Sequence, residues 1–305
     1  MSNYKNLLKI VFALIVIVVG NYVIVAQSTV TGEWQAEYRA GKNEDGEGLH
    51  INFSRKGDRG KSRMGTSFEL GELQGLSSSQ ISASNSSVRF SIVRDAGTID
   101  CQGVFNNGKG EGTFTFNPNP QFVSGMKSRG FDFDKSDSKN REGNDLGDRV
   151  FAAATLNVTF ALADDLLSSN FGKLDSDDLF KAAIFKIDGK FASEMKASGF
   201  QNLTFEDLVK ARIFKVDAGF VREVAQLGFQ NEPFESLVKM RIFKISPDFI
   251  SEIRAEGFNN VPIEDLVKMK IFNIDAEFIR KARAEGVPME VEKLVQKRIG
   301  VWSRN

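Results

Sequence analysis

A single cysteine, Cys101, and a single histidine, His50, stand in a chain of 305 residues. One thiol cannot close an intramolecular disulfide or build a cysteine cluster for a metal. One imidazole removes multi-histidine metal sites and most histidine-based catalysis. Tyrosine and tryptophan are scarce, with 3 and 2 copies against 27 phenylalanines, a skew that asks for a structural cause. Net charge is lacking too: 40 basic residues balance 40 acidic ones. No global field therefore draws the chain to nucleic acid, and no nucleic-acid partner is expected.

Long apolar runs are confined to the N-terminus. Lys5 and Lys9 supply a positive start, residues 7–25 are largely apolar, and Ala26-Gln27-Ser28 offers a small-residue cleavage site. The same stretch approaches the roughly 20 apolar residues that span a bilayer. Residues 1–28 thus read as either a cleaved export signal or an uncleaved anchor, with residues 7–25 as the membrane tether in the second case. Either way the remainder is expected outside the cytoplasm, in the periplasm or the extracellular space.

From 29 to 115 the pattern has period two. Trp34, Ala36 and Tyr38 alternate with polar residues, as do Leu49, Ile51 and Phe53, then Val88, Phe90 and Ile92, then Ile99, Cys101, Gly103 and Phe105, with Phe114 and Phe116 closing the series. Such alternation marks strands with one buried face. Residues 41–46, Asp95-Ala96-Gly97 and Asn106-Asn107-Gly108 are hairpin signals, because Asn and Gly tolerate positive φ. The Ser-rich stretch from Ser77 to Ser87 reads as a loop. A meander curled into a small antiparallel barrel or sandwich is expected, since a long flat sheet leaves sticky edges. Gly57-Asp58-Arg59-Gly60-Lys61-Ser62 imitates a phosphate loop but has two residues, not four, between its glycines. The run Gly108, Gly110, Gly112 reads as a turn between strands. His50 is expected to face solvent, and Cys101 to be a buried, inert thiol.

Phenylalanine is explained by repetition. Phe185-Lys186-Ile187 returns as Phe214-Lys215-Val216, Phe243-Lys244-Ile245 and Phe272-Asn273-Ile274, each 29 residues on, with a weaker copy at Leu156-Asn157-Val158. Repeats therefore fall at 156–184, 185–213, 214–242, 243–271 and 272–299, followed by a tail, 301–305. A first, disguised repeat occupies 116–155, carrying an acidic insertion near 132–145. There Asp132-Phe133-Asp134 starts like a calcium loop, but Asp137 and Gly143 stand where Gly and Glu are needed. A fixed period over 116–300 is specific for a repeat array.

Each repeat reads as two helices. Helix A opens on a capping residue, Asp188, Asp217, Ser246 or Asp275, and ends on Gly199, Gly228, Gly257 or Gly286. Helix B begins near Thr204, or with Pro233 or Pro262 at its first turn. Its buried face is expected to be Phe205, Leu208, Val209 and Ile213, and likewise Ile263, Leu266, Val267 and Ile271. Phe191, Phe220, Phe249 and Phe278 form one core ladder, and Phe200, Phe229 and Phe258 another. A lone pair this short cannot hide its apolar stripe, so the pairs are expected to stack as an α-solenoid. Glu206–Lys210, Glu235–Lys239 and Glu264–Lys268 are favourable i,i+4 pairs. Asp164-Asp165 and Asp177-Asp178 read as first-turn charges. Lys210, Lys239 and Lys268, with Arg212, Arg241 and Lys270 two residues on, form cationic rows. They read as a solvated face or as a docking ridge for an acidic partner.

The repeat text, Ser246-Pro247-Asp248-Phe249-Ile250-Ser251-Glu252, then Gly257-Phe258 and Glu264-Asp265-Leu266-Val267, resembles a repeat of bacterial exported proteins. Some of these repeats lie behind membrane-embedded sensor metallopeptidases of the β-lactam-responsive type. Val93-Arg94-Asp95-Ala96-Gly97-Thr98 and the segment from Gly112 to Asn119 are similar to the text preceding such repeats. The peptidase does not carry over, for this chain has no His-Glu-x-x-His. The resemblance implies a stand-alone sensing or interaction module. The expectation is thus an α+β, non-enzymatic, extracytoplasmic protein, needing no cofactor or metal and holding a protein or peptide partner in the cell envelope. A small-ligand carrier, with the β-domain interior as its pocket, is the alternative.

Overall fold

The structure is a computed structural model and describes residues 29–39, 48–57, 60–134 and 146–303. The readings for residues 1–28, for the turn at 41–46, for most of the insertion near 132–145 and for the end of the tail lie outside the described residues. The fold is α+β: an antiparallel sheet followed by helices.

Six strands make one sheet: β1 (Val30–Arg39), β2 (Gly48–Gly57), β3 (Gly60–Phe68), β4 (Ser86–Arg94), β5 (Gly97–Asn106) and β6 (Lys109–Pro118). Their order is β3-β2-β1-β6-β5-β4. Every neighbouring pair is antiparallel. The sheet is open, with β3 and β4 at its edges, where a barrel or sandwich was expected. The edge strand β3 has no apolar alternation, which suits an edge but hid it from a pattern search.

The inner face carries the alternating residues foreseen from the pattern. Trp34, Leu49, Ile51, Phe53, Phe105 and Phe116 are at most 1 % exposed. What covers that face explains why the sheet need not close. Residues 69–83 lie over one part of it, with Leu73, Leu76 and Ile81 buried. The expected Ser-rich loop is here a short helix, Ser78–Ser82, capped by Ser77, with Gln80 reaching back to the Ser77 amide. The Ser-x-x-Gln spacing is a capping box, and it overrides the loop-like composition. The helix Leu146–Thr155 covers another part. Its Phe151 stacks on Phe114 at 5.0 Å and meets Phe53 and Phe116 at 5.7 and 5.4 Å.

Trp34 shows how glycine shapes the sheet. It is β1's partner to Gly112 of β6, and Gly112 is partnered by Gly103 of β5. A Cβ on Gly103 would stand 2.7 Å from the indole, and one on Gly112 would stand 2.0 Å from the Gln102 carbonyl oxygen. The two glycines leave a bare window over which the indole lies. Its Nε1–H donates to the carbonyls of Gln102 and Thr113 at 3.3 and 3.1 Å. Phe90 and Phe105 flank it at 5.4 and 5.6 Å. Of the glycine run at 108–112, only Gly108 serves a turn, where Asn107 and Gly108 both take positive φ as a two-residue hairpin requires.

The chain divides into two compact units: residues up to 163 together with 175–180, and residues 164–174 together with those from 181 on. The first holds the sheet and the helices Pro120–Ser128 and Leu146–Thr155. Within it Asp95, in the β4–β5 turn, accepts the Phe160 amide at 2.8 Å and so caps the start of the helix Phe160–Ser168. Arg149 is buried, donates to Ser176 and Asp177 at 2.7 and 3.0 Å, and lies over the rings of Phe133 and Phe180.

The second unit contains paired helices on a fixed period. Helix A spans Gly189–Ala197, Ala218–Gln226, Pro247–Ala255 and Ala276–Ala284. Helix B spans Phe205–Ile213, Phe234–Ile242, Ile263–Ile271 and Val291–Arg298; the helix Ser176–Phe185, whose residues up to 180 belong to the first unit, precedes them in the chain. Asp188, Asp217, Ser246 and Asp275 each cap helix A through the amide three residues on, at 2.8 to 3.2 Å. Gly199, Gly228, Gly257 and Gly286 all take positive φ at its end. Pro233 and Pro262 sit one residue before the first turn of helix B, as its N-caps. Asp165 differs from the first-turn reading: late in its helix, it accepts the Gly189 amide at 2.6 Å.

Candidate interaction surface

The surface is built at the end of helix B. After Phe214 the chain turns through Lys215 at φ +55°, and the Val216 amide donates back to the Ala211 carbonyl at 2.8 Å. This is a Schellman closure with a lysine where glycine is usual. Lys186 and Lys244 repeat it at φ +54° and +52°, and Asn157 and Asn273 at +56° and +49°. The following residues, Val158, Ile187, Val216, Ile245 and Ile274, are buried beneath the closure.

Three of these closures are braced by the next helix B. Arg212 donates to the Lys186 carbonyl at 2.7 Å, Arg241 to the Lys215 carbonyl at 3.1 Å and Arg298 to the Phe272 carbonyl at 2.9 Å. The same cations lie over the helix A phenylalanines: Arg212 over Phe191 and Arg241 over Phe220 at 3.7 Å, Lys270 over Phe249 at 3.8 Å and Arg298 over Phe278 at 4.8 Å. Phe191, Phe220 and Phe249 are thus core below and cation platform above. The second expected core ladder, Phe200, Phe229 and Phe258, is only half-buried.

The lysine row has a different fate. Lys210 bridges to Glu235 at 2.6 Å, Lys239 to Glu264 at 2.8 Å and Lys268 to Glu292 at 3.7 Å, and Lys181 bridges to Glu206. These partners belong to the following helix B, not to the expected i,i+4 position on the same helix. The lysine near the end of one helix meets the glutamate at the start of the next, while Lys210 and Lys268 also keep a partner on their own helix, Asp207 at 3.5 Å and Asp265 at 3.2 Å. The ammonium of Lys210 is held above its ordinary value chiefly by Glu235, and that of Lys268 chiefly by Asp265. Of the six candidate ridge residues, Lys210, Lys239 and Lys268 are ion-paired. No carboxylate of the described residues forms an ion pair with Arg212, Arg241 or Lys270.

Helix B departs from expectation at one position. Phe205, Leu208, Val209, Ile263, Leu266 and Val267 are buried as foreseen, but Ile213 and Ile271 are each 50 % exposed. Their counterparts Ile184, Ile242 and Ile299 are 52, 47 and 53 % exposed. The inward place is taken by Ala182, Ala211, Met240 and Met269. One isoleucine at the end of each helix B is therefore about half exposed, and from Ile213 on it directly follows a cation. The exposure was not legible in the text, where Ile213 falls on the same helical stripe as Phe205 and Val209.

The remaining candidates are dispersed. His50 donates or accepts with Ser67 at 3.1 Å, and its pKa is lowered by burial and by the charge of Arg39. Cys101 is buried on the inner face, and burial pushes its thiol pKa up. Gly57 and Gly60 are register partners in the β2–β3 hairpin, with no helix following. Asp132 accepts the Asp134 amide and both lie 3.7 Å from Lys127. Among the described residues no three His, Cys, Asp or Glu are grouped to hold a metal, and no single helix is long and apolar enough to cross a membrane. The outer face of the sheet bears a shallow, open concavity of about 400 Å³ over Arg89, Ser91, Asp100, Gln102 and Thr113. Its groups pair among themselves, Ser91 and Asn117 donating to Asp100 at 2.6 and 3.0 Å. Comparison with protein-family models, with curated proteins and with solved structures found no match to this chain.

Proposed function

We propose that the protein is an exported, non-enzymatic interaction or sensing module whose two-helix repeats stack as a solenoid and hold a protein or peptide partner of the cell envelope. The observation that carries this reading is the regular surface along helix B. Side chains of one kind recur at a fixed spacing, three of the cations brace the preceding repeat, and such arrays present long preorganised surfaces. The sequence resemblance to repeats of exported, sensor-associated proteins supports the same reading, and the apolar N-terminal stretch supports export. The inner face of the β-domain is filled by Trp34, Phe53, Phe105 and Phe116, which gives no support to the small-ligand reading.

The test uses the full chain in its own envelope. A photo-crosslinking side chain is placed at Ile242, on helix B, and separately at His50, on the sheet. The reading expects discrete adducts from Ile242 and few from His50. Adducts confined to His50, or equal from both sites, refute it.

A further inference from the structure

Resting on that reading, we infer that the exposed isoleucine row takes the apolar seam of an acidic amphipathic helix. Ile184, Ile213, Ile242, Ile271 and Ile299 are each about half exposed, while in the helices Phe205–Ile213, Phe234–Ile242 and Ile263–Ile271 every other apolar side chain is under 9 % exposed. Half-buried Phe185, Phe214, Phe243 and Phe272 follow the first four directly. Single exposed aliphatics are ordinary on a protein surface. What sets these apart is their setting.

Each isoleucine from Ile213 on is preceded by a cation, Arg212, Arg241, Lys270 or Arg298, for which the described residues supply no ion-pair partner. Lys186 and Lys244, two residues after Ile184 and Ile242, are likewise without one among the described residues. The cations before the isoleucines are also fixed in place, on phenylalanine rings and, for the arginines, on backbone carbonyls. A partner carboxylate would thus meet a preformed charge and immobilise little further side chain. The neighbouring lysines, by contrast, already have Glu235, Glu264 and Glu292. The charge complement of the isoleucine row is therefore anionic, and the complement of the row itself is apolar.

The row offers one half-exposed isoleucine per repeat, with the adjoining phenylalanines less exposed. Packed helices lie about 8–10 Å apart, so the isoleucines recur at about that pitch. Positions seven apart on an α-helix recur about every 10.5 Å. A helix lying along the row can offer one apolar residue per repeat and acids on both flanks, the helix-in-groove mode of recognition. A lipid surface takes instead a broad apolar face rich in Trp, Phe and Leu, which a single file of isoleucines does not provide.

The experiment titrates the chain from residue 29 onward against a fluorescent synthetic peptide of roughly four heptads with leucine at each seventh position and glutamate beside it. A second peptide has lysine in place of glutamate, and a third probe is a vesicle of phosphatidylglycerol. The proposal expects saturable binding of the acidic peptide alone, weakening with salt. It expects loss of at least about tenfold in the triple variant Ile213→Ser, Ile242→Ser, Ile271→Ser, as for removal of interface anchors. Lys210→Gln, Lys239→Gln and Lys268→Gln together should change affinity by no more than about twofold. The serine variant alters exposed positions, so unchanged circular dichroism certifies it. Arg212→Gln with Arg241→Gln adds a second arm if it also folds.

Equal binding of both peptides, no binding of either, or full binding by the serine variant overturns the proposal. So does isoleucine-dependent vesicle binding, which makes a lipid surface the occupant. If the peptide fails while Ile242 still yields discrete crosslinks in the envelope, the interaction reading stands and only the partner chemistry is wrong.

Discussion

Leu237 and Ile242 lie on one helix, five residues apart, and the sequence offers no reason to treat them differently. The structure does: Leu237 is 1 % exposed and Ile242 is 47 % exposed. Leu237→Ala removes buried methyl groups and leaves a cavity, a combination that costs about 2–5 kcal/mol. Ile242→Ala removes a side chain already half in water. Fully burying an isoleucine is worth about 1.5–3 kcal/mol, so the loss is roughly half of that. Alanine returns a few tenths of a kcal/mol in helix propensity. The net cost of Ile242→Ala is then about 1 kcal/mol or less, and the two variants should differ by about 2 kcal/mol or more. Urea unfolding followed by circular dichroism at 222 nm measures both, with the midpoint shift compared at a common slope. Equal costs would falsify the placement of helix B, and with it the exposed isoleucine row. A slope change in Leu237→Ala alone would instead mean that the array loses cooperativity when one repeat is loosened.

Gly103→Ala should strongly destabilise the sheet, because the new Cβ would stand 2.1 Å from the Glu111 carbonyl oxygen and 2.7 Å from the Trp34 indole; near-ultraviolet circular dichroism reports it, and a native-like spectrum with unchanged stability would contradict the glycine window. Lys244→Gly should stabilise by up to about 1 kcal/mol, since φ is +52° and a side chain there is strained; Lys244→Val should do the opposite, and a loss of thermal midpoint in both would refute the strain argument. Glu256 bridges to Arg280 and Arg283 at 2.6 and 2.9 Å, and these bonds hold its carboxyl below the ordinary value of 4.5. A depressed folded pKa gives stability above the ordinary pKa that is lost as pH falls through the folded one. The difference in melting temperature between the chain and Glu256→Gln should therefore shrink as pH drops below 4.5, and a gap that widens would reverse the sign. Cys101, buried with its thiol pKa raised, should react with a thiol reagent only on unfolding; rapid labelling of the native chain would contradict its placement.

Helix ends were the most legible feature of the sequence. Asp217, Gly228 and their equivalents act through backbone amides and carbonyls within a few residues, so local text suffices to place them. The alternation of Leu49, Ile51 and Phe53 named the inner face for a similar reason, since the pleat is local. What the text withheld depends on neighbours in space. Lys239 faces Glu235 on its own helix by spacing, yet pairs with Glu264 of the next, because stacked helices bring distant acids closer than one turn does. Ile213 shares a stripe with Phe205, but the adjoining repeat covers only part of that stripe. Phe151 was assigned to a repeat by period alone, while in the structure its ring completes the core of the sheet. Ser77 to Ser87 misled by composition: four atoms of a capping box at Ser77 and Gln80 outweigh a serine-rich average.

The bracing of three helix B ends by the following repeat gives the array a direction. Arg212 closes the end at Lys186, Arg241 the end at Lys215 and Arg298 the end at Phe272, so every such repeat leans on its successor and none of these bonds runs the other way. The last closure has no successor among the described residues. There Gly300 takes the positive φ, and Val301 and Trp302 donate back to the Gln296 carbonyl at 3.0 and 3.2 Å. Loosening one repeat should therefore release the closure of the repeat before it, like a zip that opens in one sense only. Amide exchange would register this in Arg241→Gln as lost protection at Val216, the closure that Arg241 braces, with Ile274 unchanged.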